Sequence, residues 1–127
     1  MPITVPKPWG QEIILTDPNL PYTGKIATTK AGHRWSLQYH DQKTETLILL
    51  SGQGQLTLND QTINMEINRG YHILPMTKHR FQAITDSTTI EISTPETGTT
   101  FRLEDDYHRS NETSEIRNSP NRGWHAD

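Results

Sequence analysis

Gly32-His33-Arg34-Trp35-Ser36-Leu37-Gln38-Tyr39-His40-Asp41-Gln42-Lys43-Thr44-Glu45-Thr46-Leu47-Ile48-Leu49-Leu50-Ser51-Gly52 is the stretch whose reading decides the fold. Side chains two apart on a strand project from one face, so a strand over Arg34 to His40 presents Gln38 and His40 together, roughly 7 Å apart at the backbone. Asp41, Gln42 and Lys43 suit a turn, and the β-rich run Thr44 to Leu50 then carries Glu45 back past the same place. An amide oxygen, an imidazole and a carboxylate converge there. His79, which opens a second strand-like run after the turn around Pro75, is the natural fourth donor. Taken singly, each of these residues is equally at home on an ordinary polar surface. Together, two His, one Gln and one Glu form a mixed N/O field that fits a divalent metal ion, Zn first and Mn, Fe or Ni as alternatives.

The spacing also resembles a family. Gly32, five residues, Gln38-Tyr39-His40, four residues, Glu45, six residues and Gly52 reproduce the first motif of the cupins, with Gln in the place of a more usual His. Lys7-Pro8-Trp9-Gly10, Ser36-Leu37-Gln38-Tyr39-His40 and Arg102-Leu103-Glu104-Asp105-Asp106-Tyr107 are similar to the cupin domain of type II mannose-6-phosphate isomerases, over about residues 6–109. The second cupin motif departs from the pattern: its Gly, Pro and Gly fall on Asn68, Leu74 and Met76, its later Asn falls on Ala83, and only His79 matches. The resemblance implies an all-β cupin double-stranded β-helix, a jelly-roll barrel. The activity it implies is that of a metal-dependent sugar or sugar-phosphate isomerase, interconverting aldose and ketose through an enediol. Two other readings stay open, a non-catalytic sugar-binding module and a non-haem metal dioxygenase, the latter disfavoured by Gln among the donors.

Composition limits the alternatives. The 127 residues suit one domain, expected as a cupin domain with an N-terminal arm over residues 1–109 and a flexible tail over 110–127. Hydrophobic content of 31% and a mean hydropathy of -0.78 point to a thin core made from short alternating runs. A net charge of -3 without a basic, aromatic-interleaved patch argues against nucleic acid and anionic membranes. Cysteine is absent, which excludes disulfides and thiol catalysis. The chain opens without an export signal and has no run long enough to span a bilayer, so a cytoplasmic location is expected, and Asn111-Glu112-Thr113 reads as a chance sequon.

About ten strands are expected in order: Gln11 to Thr16, Lys25 to Lys30, Arg34 to His40, Thr44 to Ser51, Gln55 to Asn59, Gln61 to Ile67, Tyr71 to Pro75, His79 to Thr85, Thr88 to Thr94 and Thr99 to Glu104. Residues 1–9 carry three prolines and are expected as an extended arm anchored by Trp9, barred from a central strand or helix. Gly52-Gln53-Gly54 reads as a hairpin turn, and the β-run after it argues against a dinucleotide fingerprint. Beyond His108 the pattern lapses, leaving Trp124 to pin the tail.

A strand over Arg34 to His40 turns Arg34, Ser36, Gln38 and His40 to one face and Trp35, Leu37 and Tyr39 to the other. An uncovered Trp-Leu-Tyr patch calls for the arm or a second subunit, and a homodimer is expected. The expected ligand is a small-molecule sugar or sugar phosphate. Arg34, Lys43 and Arg102 are the leading partners for its anionic group, with Lys78 and Arg80 behind them. For the general base the sequence offers Lys43 and His72 without choosing between them.

Overall fold

The computed structural model describes residues 2–123; Trp124, expected to pin the tail, lies outside the described residues. Among the described residues, eleven strands form two antiparallel sheets. They are β1 (Ile3–Lys7), β2 (Gly10–Ile14), β3 (Thr23–Thr29), β4 (Leu37–His40), β5 (Glu45–Ser51), β6 (Gly54–Leu58), β7 (Gln61–Asn64), β8 (Gly70–Ile73), β9 (His79–Ala83), β10 (Ser87–Ser93) and β11 (Thr100–Glu104). One sheet runs β1-β2-β3-β10-β5-β8 and the other β11-β4-β9-β6-β7. This is the jelly-roll barrel expected of a cupin.

Each expected strand is present, and the differences are local. The proline-rich arm is itself a strand: β1 zips onto β2 in the register Val5↔Glu12 and Lys7↔Gly10, at the sheet edge where Pro6 has no second neighbour to serve. Gly52-Gln53 does not close a hairpin. It carries the chain from β5 in one sheet to β6 in the other, and a Cβ at Gly52 (φ +89°) would sit 2.3 Å from the Asp86 carbonyl oxygen. Asn59-Asp60 does turn β6 into β7, with Leu58 opposite Gln61.

Strand β4 begins at Leu37, three residues later than Arg34, because the alternation breaks where Trp35 and Ser36 are both buried. Trp35 turns inward between Trp9 and Phe81, at ring-centroid distances of 5.2 and 5.1 Å. The expected outer patch therefore loses its largest member. Leu37 and Tyr39 remain outside, Tyr39 stacked on Phe101 of β11 at 4.9 Å.

The interior has two halves. One is apolar, built on Leu47, Leu49, Leu56, Ile73, Phe81 and Ala83, all essentially sealed from water. The other is charged, with Lys25, Lys43, Glu45 and Glu91 pointing inward from the six-stranded sheet and its loops. Trp9 and Trp35 border both halves.

The chain beyond His108 folds back across the charged half. Glu112 bridges Thr100 of β11, a helical turn α1 (Ser114–Arg117) is capped by Thr113, and a 3-10 turn follows at Pro120–Gly123. Charge holds this segment, which is why an apolar pattern did not announce it: Arg117 and Arg122 each reach both Glu96 and Glu112.

Candidate metal centre

His40 closes β4, Glu45 opens β5 after the 41–44 loop, and His79 opens β9 as the direct partner of Gln38 on β4. Strand ends from both sheets thus meet at one end of the barrel. The three residues are 6%, 2% and 1% exposed, and one ligand atom from each lies within 4.8 Å of the others. Glu45 stands 3.3 Å from His40 Nε2 through Oε2 and 3.9 Å from His79 Nε2 through Oε1. The imidazole rings are 5.1 Å apart.

The far side of each ring is fastened. His79 Nδ1 donates to the Thr77 carbonyl at 2.9 Å, and His40 Nδ1 pairs with Thr100 Oγ1 at 2.8 Å. With Nδ1 engaged, each Nε2 is turned toward Glu45, the arrangement that orients histidine ligands. His40 Nε2 and Glu45 Oε2 are buried and face each other at 3.3 Å, with Lys43 Nζ 3.3 Å from Oε2, but among the described residues neither atom has a partner in hydrogen-bond geometry. Buried polar atoms left like this are costly unless something else engages them. A cation satisfies both, so the group fits a metal ion.

The protonation states agree. Burial presses the His79 pKa down, against the pull of Glu45, so the ring offers a free lone pair at neutral pH. Burial alone would raise Glu45, but Lys43, with His40 and His79 behind it, holds its carboxyl well below the usual range. Gln38 is the outer member. Its Oε1 accepts from Ser36 Oγ at 2.7 Å while its Nε2 faces His79 Nε2 at 3.5 Å. Half a turn of the amide exchanges those atoms and brings an oxygen to the metal side.

The other sequence-derived residues fall differently. Arg34 sits before the break in alternation and faces outward, paired with Asp106 at 2.7 and 2.8 Å. His72 is on the exposed face of β8, bonded to Thr46 Oγ1 at 2.9 Å, and does not reach the cavity. Lys43 lies inside, within 2.8 Å of Glu91, 3.3 Å of Glu45 and 3.6 Å of Glu96. Burial lowers its pKa, but these three carboxylates outweigh burial and keep it well above normal. These ion pairs favour its protonated form, which is not a base. Arg102 pairs in register with Gln38 and lines the cavity, held by Ser110 and Glu112. Lys78 is absent from the cavity wall, and Arg80 is tied to the Trp35 and Glu104 carbonyls.

The cavity beside the centre leaves about 60 Å³ for the centres of water-sized molecules. Several of its charged walls went unread in the sequence: Lys7, Glu12, Lys25, Glu91, Glu96 and Glu112. Glu91 is notable because burial, then Glu45, raise its pKa against Lys43 and Lys25. The available signal was the inverted alternation of β10, where Thr89, Glu91 and Ser93 are buried and Ile92 is exposed.

An antiparallel two-sheet barrel with two His and one Glu gathered at one end is the layout of a cupin, a class of β-barrel that carries its site inside the barrel. The family described as Mannose-6-phosphate isomerase C-terminal matches residues 1–112, and the chain belongs to that family. A curated relative, the mannose-1-phosphate guanylyltransferase RfbM of Salmonella typhimurium, is 30% identical over 76 residues, covering 60% of this chain. The match spans only 16% of that relative's length. Among solved structures, KdgF from Halomonas sp. superposes with TM-score 0.65 at 16% identity, over 71% of this chain and 82% of its own. The capsular polysaccharide assembling protein CapF from Staphylococcus aureus gives 0.66 at 15% identity, over 89% and 31%. A cupin-2 domain from Rhodospirillum rubrum gives 0.65 at 14% identity, over 76% and 70%. At these identities the structural likeness is one of fold.

Proposed function

We propose that this chain is a metal-dependent sugar or sugar-phosphate isomerase, interconverting aldose and ketose, with a divalent cation, zinc first, held by His40, Glu45, His79 and the turned amide of Gln38. The observation that carries the reading is the buried pair His40 Nε2 and Glu45 Oε2, 3.3 Å apart without a hydrogen bond, inside a group whose ligand atoms lie within 4.8 Å. A bound cation of this kind supplies Lewis acidity at the oxygens of the first two sugar carbons, which eases proton movement between those carbons.

The chain's own residues divide the remaining work. Lys43 stays charged and balances Glu45, Glu91 and Glu96. Glu91, whose carboxyl lines the cavity and is raised above its usual range, is assigned the proton transfer. Arg102 contributes a fixed positive charge to the wall. The part of the wall built by Arg109, Arg117 and Arg122 moves outward to admit a hexose, since about 60 Å³ is too little room for one. A cytoplasmic homodimer completes the proposal.

A non-catalytic sugar-binding module is the second reading, favoured by the 16% share of the guanylyltransferase that this chain matches. Elemental analysis of purified protein beside Gln38→Ala, His40→Ala, Glu45→Ala and His79→Ala tests the centre. Wild type carries about one equivalent and the His and Glu variants lose it; metal retained by all four ends the proposal. NMR of hexose phosphates with the metal restored separates the readings. Isomer exchange, cut about 10²- to 10⁴-fold in Glu91→Gln at unchanged metal content, supports the enzyme. Binding without exchange establishes the module.

A further inference from the structure

Among the described residues, the cations around the cavity are matched to carboxylates with one exception. Lys25 lies 3.3 Å from Glu12, Lys43 2.8 Å from Glu91, Arg102 3.4 Å from Glu112, Arg109 2.9 Å from Asp105, Arg117 3.2 Å from Glu112 and Arg122 2.7 Å from Glu96. Lys7 lines the same cavity, yet among the described residues no carboxylate forms an ion pair with its Nζ. Val5 and Lys7 share one face of β1, and Val5 is in the core, so the strand delivers Lys7 inward. A second donor is also uncommitted: Arg102 Nε is buried with no hydrogen-bond partner.

An ammonium in a protein wall without a counter-ion is the complement of an anion. We propose that Lys7 receives the anionic group of the cavity's ligand, a phosphate or carboxylate oxyanion, with Arg102 Nε as the second donor. The assignment rests on the sugar-site reading of the cavity, but it is tested by binding alone and so stands or falls apart from turnover.

Burial draws the Lys7 pKa down to about 8, opposed by Glu12 and Glu112 and helped by Arg122 and Lys25. These are the charged groups facing it from β2, the segment before α1, the 3-10 turn and β3. Glu12 is held at about 2 and Glu112 below its usual range, while Lys25 and Arg122 are raised. None of them changes charge between about pH 7 and 9.5, and because the α-amino group titrates in the same window, the part of the pH dependence that Lys7→Met removes is the part that belongs to Lys7.

The experiment is calorimetric titration of the full chain with sulfate, whose charge is constant over this range, from about pH 7 to 9.5. Wild type is expected to bind sulfate saturably and to lose affinity as the pH rises beyond the Lys7 value of about 8. Lys7→Met is expected to weaken binding about ten- to a hundredfold, and Lys7→Arg to retain most of it. No saturable binding by wild type overturns the proposal, as does an affinity that is flat with pH, or one that is the same in Lys7→Met. The flat profile needs no variant to fold. Displacement of sulfate by a hexose 6-phosphate and not by a hexuronate assigns a phosphate; the reverse assigns a carboxylate. Persistent sulfate binding in protein that neither holds metal nor exchanges isomers sinks the isomerase and leaves the anion site standing.

Discussion

An amine half-buried in a cavity wall gives up part of its solvation, and Lys7 carries that cost in the ligand-free chain. Its pKa falls from 10.5 to about 8 on folding. The sign follows directly: between those values the unfolded chain binds more protons than the folded one, so stability rises with pH across that window, and below it the penalty is full. At 1.4 kcal/mol per pH unit the penalty is on the order of 3 kcal/mol. Lys7→Met should accordingly raise the urea midpoint at pH 7, by the equivalent of about 1–3 kcal/mol, and the gain should fade toward pH 10.5. A destabilised Lys7→Met at pH 7 would show that the ammonium is satisfied as it stands. The convergence of His40 and Glu45 was legible at this scale because a strand and the short turn after it fix their spacing, while His79 came from the strand-like run after Pro75. Lys7 was not, since its meaning lies in a missing partner that only tertiary structure reveals. Met76 and Asn68 sit between these cases: both adopt positive φ, 66° and 64°, at the places where the cupin pattern has glycine, so the turn persists although its glycines do not.

Elements were read well where alternation was honest. Nearly every strand fell within three residues of its expected bounds, because short β-runs between Gly, Pro and Asn turns have few other solutions. Polar interior faces broke the rule. On β10 and β3, Glu91 and Lys25 point inward while Ile90, Ile92 and Ile26 lie outward, so hydrophobicity alone assigns the wrong face. The misplacement of Arg34 has the same origin in reverse, since Trp35 was set outside and its rotation into the core carried Arg34 to solvent. The C-terminal strap is an element that apolar periodicity cannot find. Its keystone is Glu112, 5% exposed, which meets Arg102 at 3.4 Å, Arg117 at 3.2 Å and Arg122 at 3.1 Å. Removing one member of a buried charge cluster leaves the others uncompensated, which typically costs about 3–5 kcal/mol. Glu112→Ala should lower unfolding free energy by roughly 3 kcal/mol in urea. Glu115→Ala, on the exposed face of α1, should change it by less than about 0.5 kcal/mol. Equal effects would mean that the strap is not held through Glu112.

At the scale of the whole molecule, a cation at the candidate centre would tie the two sheets together. His40 and His79 belong to the five-stranded sheet and Glu45 to the six-stranded one, where it stands opposite Ile73 of the apolar half. Unfolding separates these strands, so a cation held by all three residues binds the folded chain and not the unfolded one. A ligand of that kind at a hundred times its Kd adds about 2.7 kcal/mol to stability. For a chain of this length that corresponds to a rise in Tm on the order of 10 °C. Chelator-treated protein should therefore melt about 10 °C lower than metal-saturated protein, regain the difference when zinc is restored, and show no such response once His79 is replaced by Ala. Acid should abolish the shift as well, because Glu45 is a ligand only while ionised and both histidines are ligands only while neutral. A melting temperature indifferent to chelation at neutral pH would mean that the Glu45 carboxylate is neutralised by Lys43 alone, and the two sheets would then be joined by packing without a metal.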